Sequence, residues 1–192
     1  MNITVNPSIA NGIVTAPPSK SMAHRALICG AFSEESIIRN VAFSKDITAT
    51  LDCLKALGAK VEISDDTVII GGLEVSKIPD NISIFCDESG STLRFLLPIC
   101  MASGKTVTLN GTPRLFERPL SVYETISQNN GILFKKSSDN VKVCGCLSQR
   151  EFEIAGDISS QFITGLIFAL VYLGKDSSIE ILPPFESRSY ID

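Results

Sequence analysis

Ser89 to Pro119 reads SGSTLRFLLPICMASGKTVTLNGTPRLFERP: a small polar cluster, an apolar run, a Ser-Gly turn, a strand-like Thr106 to Asn110, then Arg118-Pro119. Two other stretches repeat that order. The earlier one has Ser19-Lys20-Ser21, the apolar Ala26 to Phe32, a Ser/Glu turn, a strand-like Ser36 to Val41 and Lys45-Asp46. The later one has Ser159-Ser160-Gln161, Phe162 to Leu173, Gly174-Lys175, Ser178 to Leu182 and Ser187 to Asp192. After each of the first two copies comes an amphipathic segment closed by a glycine, and then a hairpin. These are Leu51 to Leu57, Gly58 and Lys60 to Gly72, and Val122 to Asn130, Gly131 and Leu133 to Gly145. Nothing comparable follows the third copy. Internal repetition decides an architecture before any local reading does. It predicts an α/β (α+β) fold of βαβαββ units at about 15–72, 73–146 and 147–192, the last incomplete, as in the front part of a larger protein.

Composition narrows the partners. The 192 residues are 44% hydrophobic and 20% charged with a net charge of −4, ordinary for a globular chain and without the basic footprint of a nucleic-acid binder. An anionic ligand must therefore be held by a few placed cations. No charged leader with a long apolar core follows Met1. The longest apolar run, Phe162 to Leu173, is broken by Thr164 and Gly165 and is too short to span a bilayer, so no membrane association is expected. Cys29, Cys53, Cys86 and Cys100 sit singly in apolar settings, as small hydrophobes do. Cys144 and Cys146 are expected on one face of a hairpin strand. His24 is the one histidine, which leaves too few ligands for a zinc site. A reducing, cytoplasmic compartment and a metal-free chain are expected.

The densest polar signal is Pro17-Pro18-Ser19-Lys20-Ser21-Met22-Ala23-His24-Arg25. Ser19 or Ser21 can cap a helix over Ala23 to Phe32, and a helix N-terminus with its free N–H groups attracts phosphate. Lys20 adds a charge at that end, and Arg25 lies one turn beyond Ser21 on the same face. The same residues also describe a plain capped helix with solvated cations. His24 falls on another face, is expected in solvent, and receives no role.

The second copy repeats the device with Ser89-Gly90-Ser91-Thr92, where Gly90 leaves room for close approach of backbone to a ligand, or makes a simple turn. Arg94 reads as an ion-pair partner at the core edge. Arg118 stands before a helix, where its fork suits a carboxylate or phosphate. Arg114 is expected to pair with Glu117 on the surface. The third copy offers Ser159, Ser160 and Gln161 at a helix start, with Ser187 and Tyr190 downstream. Each cluster alone could be a cap. Three at equivalent repeat positions converge if the repeats pack about a common axis.

Four motifs in order, Pro-Ser-Lys-Ser-x-x-x-Arg-Ala from Pro18, Glu-Arg-Pro from Glu117, Ser-Ser-Gln-Phe from Ser159 and Ser-x-x-Tyr-Ile-Asp from Ser187, resemble the enolpyruvylshikimate phosphate synthase family (3-phosphoshikimate 1-carboxyvinyltransferases). The resemblance covers about Thr15 to Asp192. It implies two lobes, each of three βαβαββ units around a pseudo-threefold axis. This chain resembles the first lobe (15–192), preceded by a strand segment (1–14, about Ile3 to Val5 and Ile13-Val14) that belongs to the other lobe. It implies that Lys20, Ser21, Arg25, Ser159, Ser160, Gln161, Ser187 and Tyr190 bind shikimate 3-phosphate. Lys20, Gly90, Arg118 and Gln161 would line the phosphoenolpyruvate site, with Lys20 and Gln161 closest to the chemistry. The implied reaction transfers the enolpyruvyl group to the 5-hydroxyl of shikimate 3-phosphate, releasing phosphate, in a monomeric enzyme of aromatic amino acid biosynthesis without cofactor or metal.

Two departures stand out. Many members have Asn-x-Gly-Thr where this chain has Glu88-Ser89-Gly90-Ser91, placing an acid near an anionic substrate. The family's frequent Lys-Pro is Arg188-Ser189 here. The related UDP-N-acetylglucosamine enolpyruvyltransferases have Lys-Asn in place of Lys20-Ser21 and a cysteine-bearing loop not found here. Because the family's general base and several cations come from the second lobe, the 192-residue chain is expected to carry about half the active site and to be inactive alone. A non-catalytic substrate-binding fragment is the other reading.

Overall fold

The computed structural model describes residues 3–4, 6–9, 11–148, 151–186 and 188–191. The first unit contains α1 (Lys20–Ala31), β1 (Ser36–Ile38), α2 (Lys45–Ala56), β2 (Lys60–Ser64) and β3 (Thr67–Gly71). The second contains β4 (Ile82–Phe85), α3 (Gly90–Ala102), β5 (Val107–Asn110), a short α4 (Pro113–Phe116), α5 (Ser121–Asn129), β6 (Leu133–Lys136) and β7 (Asn140–Cys144). The third is β8 (Glu151–Ala155), α6 (Ser160–Leu173) and β9 (Ser178–Leu182).

The repeat is visible in the pairing. Sheet order β1-β3-β2 in the first unit matches β5-β7-β6 in the second, antiparallel throughout. In the second and third units a parallel strand pair, β4 with β5 and β8 with β9, is joined through a helix, as parallel pairing requires. Among the described residues no strand precedes α1. Ile13 and Val14, expected as a strand, lie almost fully in solvent. The expected strand end at Val41 is also shortened, because Asn40 turns at φ 60° and Val41 N–H donates to the Asp66 carbonyl instead.

One device starts the four long site-forming helices. Ser19, Ser44, Ser89 and Ser159 are N-caps whose hydroxyls accept from Met22, Ile47, Thr92 and Gln161 N–H, satisfying donors the first turn leaves unpaired. Helix α3 lies at the centre. Every residue of it except Ser91 and Arg94 is buried, the pattern of a helix enclosed on all sides. Helix α6 packs along it, and the close approach needs Gly165, where a Cβ would overlap the Arg94 carbonyl and come within 2.5 Å of the Tyr123 hydroxyl.

Cys53, Cys86 and Cys100 are buried as expected, but Cys29 is exposed, because the α1 face it occupies is left uncovered. Gly145, at φ 135°, turns the chain out of β7, so Cys146 falls beyond the strand that holds Cys144. No helix among the described residues is long and apolar enough to cross a membrane.

Candidate active site

The N-termini of α1, α2, α3 and α6 open on one side of the molecule. A cleft of about 450 Å³ is lined there by Lys20 and Ser21 from α1, Lys45 and Asp46 from α2, Gly90 and Ser91 from α3 and Gln161 from α6. Asp87, Glu88 and Arg118 complete it. Beside it a smaller hollow of about 170 Å³ is lined by Ser21, Arg25, Ser159, Ser160, Gln161 and Tyr190. Ser21 and Gln161 border both. Helix N-termini carry partial positive charge, so their convergence favours anions even in a net acidic chain.

Gln161 is the hinge between the two hollows, and its orientation is fixed at both ends. Its Oε1 accepts from Arg94 Nη1 at 2.9 Å, and its Nε2 donates to Ser91 Oγ at 2.7 Å. Arg94 and Ser91 are the two residues of α3 that the core does not cover. The Arg94 guanidinium also lies 4.8 Å from the Phe162 ring centroid. Among the described residues Arg94 makes no ion pair, contrary to expectation, and the residue serves as a donor across the α3–α6 contact. Burial lowers its pKa, and the neighbouring Arg118 lowers it further.

Arg118 packs its guanidinium against the Gly90 backbone, where a Cβ would stand 2.7 Å from Nη1. Gly90 thus leaves the room in which the Arg118 guanidinium lies, and a side chain there would displace it. Among the described residues no carboxylate ion-pairs with Arg118 or Arg94; Arg118 lines the cleft directly, and Arg94 acts on it through Gln161.

Lys20 reaches across to α2, and its Nζ lies 2.6 Å from Asp46 Oδ2. Arg25 is held from several directions. Nη1 donates to the Ser21 carbonyl at 3.1 Å and Nη2 to Thr164 Oγ1 at 3.2 Å. Its guanidinium carbon stands 5.1 Å from the Phe95 centroid and 4.8 Å from that of Tyr190, and the buried Nε has no partner among the described residues. A 3-10 turn over Arg188–Tyr190 delivers the Tyr190 ring. Lys20, Ser21, Arg25, Gly90, Arg118, Ser159, Ser160, Gln161 and Tyr190 therefore gather around two adjoining hollows. Ser187 lies outside the described residues.

Several sequence expectations change here. His24 is fully buried rather than solvated, with Nδ1 2.8 Å from Thr50 Oγ1 and its ring edge-on to Phe95. Burial drives its pKa down to about 4. Lys20 and Arg25 add to that effect, and Asp46 opposes it. The phase of α1 alone places His24 outward, but Thr50 of α2 and Phe95 of α3 cover that face. Arg114 pairs with Glu88 at 3.2 Å, not with Glu117, so the acid at the cleft rim carries its own cation. Asp46, Lys45, Ser91 and Arg94 were missed as site residues. The repeat held a signal for the first two, since Lys45-Asp46 closes the first copy where Arg118-Pro119 closes the second.

These features define a class before they define a family. The fold is that of the enolpyruvyl transferases. It superposes on EPSP synthase from Acinetobacter baumannii with a TM-score of 0.77, at 20% identity over 93% of this chain and 42% of that one. It superposes on the enolpyruvyl transferase NikO from Streptomyces tendae with a TM-score of 0.58, at 14% identity over 88% of this chain and 40% of that one. A sequence model of the EPSP synthase (3-phosphoshikimate 1-carboxyvinyltransferase) family matches residues 6–192, and the chain belongs to that family. It is 43% identical to the 3-phosphoshikimate 1-carboxyvinyltransferase of Clostridium perfringens strain ATCC 13124 over 99% of its own length and 46% of the relative's. The Clostridium kluyveri enzyme of the same name gives 43% over 99% and 45%. The chain spans about half the length of the curated relatives it matches.

Proposed function

We propose that the chain supplies one half of an active site that transfers the enolpyruvyl group of phosphoenolpyruvate to the 5-hydroxyl of shikimate 3-phosphate, a step of aromatic amino acid biosynthesis. The observation that carries the reading is the pair of adjoining hollows joined at Ser21 and Gln161. One has the cations Lys20 and Arg118 on Gly90, and the other has Arg25 among Ser159, Ser160 and Tyr190. Two anionic substrates seated there would meet at Gln161. Membership of the EPSP synthase family supports the same pairing.

In this reading the chain's own contribution is to bind and orient. Arg25 and the serine hydroxyls hold the phosphate of shikimate 3-phosphate through charge-assisted hydrogen bonds. Arg118 and the first-turn amides of α3 hold phosphoenolpyruvate. The Lys20 ammonium stands between the two ligands, where it offsets charge on both. The reaction adds the 5-hydroxyl to the enol C2 and a proton to C3. It then expels phosphate as C3 gives a proton back. Holding the hydroxyl oxygen and C2 in contact converts an encounter of two polyanions into an intramolecular step. The half-site at 46% of the relatives' length binds without completing that cycle. A cytoplasmic, monomeric parent enzyme without nucleic-acid partners fits this chemistry.

Calorimetric titration of the 192-residue chain with each substrate, beside a coupled phosphate-release assay, tests the proposal. Weak binding of shikimate 3-phosphate with no turnover is expected. Binding of UDP-N-acetylglucosamine in preference to shikimate 3-phosphate would overturn the substrate assignment, and turnover by the chain alone would overturn the half-site.

A further inference from the structure

Behind the larger cleft, and lining neither hollow, runs a chain of buried polar side chains that begins at His24. Its Nδ1 lies 2.8 Å from Thr50 Oγ1, which lies 2.7 Å from Thr92 Oγ1, which in turn lies 2.7 Å from Ser89 Oγ. Thr50 Oγ1 is also 3.1 Å from the Asp46 carbonyl, and Ser89 Oγ accepts from Thr92 N–H at 3.2 Å. The chain crosses from α1 to α2 to α3. Its two ends of interest are the turn bearing Asp46, the partner of Lys20, and the cap of α3, from which Gly90 and Ser91 enter the cleft.

The direction of the protons in this chain follows from the other ring nitrogen. Among the described residues His24 Nε2 has no hydrogen-bond partner, although it is buried. A proton on Nε2 would leave an orphaned buried N–H, the kind of group folded proteins avoid most strictly. A proton on Nδ1 leaves only a lone pair unmatched and donates to Thr50. Thr92 donates to Ser89, so the one proton of Thr50 serves the 2.7 Å contact to Thr92, and its longer 3.1 Å approach to the Asp46 carbonyl is secondary.

We propose that His24, as the Nδ1–H tautomer, is a positioning residue for the phosphoenolpyruvate cleft, heading a one-way relay of hydroxyl donors that runs from α1 through Thr50 of α2 to the Ser89 cap of α3. The function it serves rests on the substrate reading above, whereas the tautomer does not. Burial favours a neutral imidazole at this place, with Lys20 and Arg25 acting in the same direction and Asp46 opposing them. Asn at this position keeps a short amide donor, and Leu keeps bulk without one.

His24 is the only histidine in the chain, so a long-range proton–nitrogen NMR correlation on the labelled 192-residue chain reads its tautomer without ambiguity. Protonation at Nδ1 is expected, and protonation at Nε2 would overturn the relay. Titration with phosphoenolpyruvate then compares the wild type with His24→Asn and His24→Leu, each checked for a cooperative thermal transition. The Leu variant should bind about five- to tenfold more weakly and the Asn variant nearly as the wild type, the loss expected for one buried hydrogen bond. Equal affinity in all three, or equal loss in both variants, would reduce His24 to packing. A wild-type chain that binds neither phosphoenolpyruvate nor inorganic phosphate would instead overturn the substrate reading, and the tautomer measurement would still decide the relay.

Discussion

The Tyr123 hydroxyl takes the place of a backbone donor that Pro98 removes. Pro98 lies inside α3 and has no N–H, so the carbonyl of Arg94, four residues earlier, loses its helical partner. Tyr123 Oη, from α5, donates to that carbonyl at 2.7 Å and stands 3.0 Å from the Phe162 carbonyl of α6. One buried phenol thus ties together the first turns of α3 and α6, which hold Gln161 through Arg94 and Ser91. Burial raises the Tyr123 pKa well above its ordinary value, so it remains a donor at any working pH.

Tyr123→Phe should therefore lower stability by about 1–3 kcal/mol, the cost of an unsatisfied buried carbonyl, read as a shift of the denaturant midpoint at unchanged slope. Pro98→Ala in the Tyr123→Phe background should recover part of the loss, because alanine returns the N–H. Additive effects of the two changes would show that the phenol and the missing amide are not coupled.

Gly90→Ala should leave the fold stable and weaken phosphoenolpyruvate. The added methyl meets the mobile end of Arg118, not backbone, so the guanidinium moves aside. Losing one charge-assisted contact costs about 1.5–3 kcal/mol, roughly ten- to a hundredfold in affinity. Isothermal titration reads it, and unchanged affinity would place Arg118 away from the ligand.

Lys20→Ala should weaken both substrates, and Arg25→Ala mainly shikimate 3-phosphate. Lys20→Ala also exposes the Asp46 carboxylate that Lys20 now neutralises, so its effect should shrink when combined with Asp46→Asn. Arg25→Ala should in addition lower stability, since Phe95, Tyr190 and Thr164 all lose their shared partner. Paired titrations and melting curves separate the two effects.

Stability should fall as pH drops from about 6.5 to 4. Folded His24 has a pKa of about 4 against 6.5 when unfolded, so between those values the unfolded chain binds more protons and acid favours it. The contribution is complete above pH 6.5 and amounts to roughly 3 kcal/mol across the window. Denaturation midpoints of His24→Asn should lack this part of the slope, and an identical slope in both proteins would refute it.

The sequence by itself determined the repeat, the helix starts and most of the residues proposed to bind anions. Those signals are local or periodic. A serine cap depends on the next three residues, and a polar cluster recurring before an apolar run announces three equivalent helix N-termini without any knowledge of how they pack. The family motifs Ser19-Lys20-Ser21 and Ser159-Ser160-Gln161 lie inside such local signals. Tertiary structure alone decided the status of His24, Arg94 and Arg114. Each has its partner on another element: Thr50 on α2, Gln161 on α6 and Glu88 in the loop before α3. No spacing along the chain encodes which face of a helix a distant helix will cover. The burial of His24 follows from α2 and α3 closing over α1, and the orientation of Gln161 from Gly165 letting α6 approach α3. Those contacts exist only once the units have packed, because the free energy that selects them is the burial of surface contributed by all three.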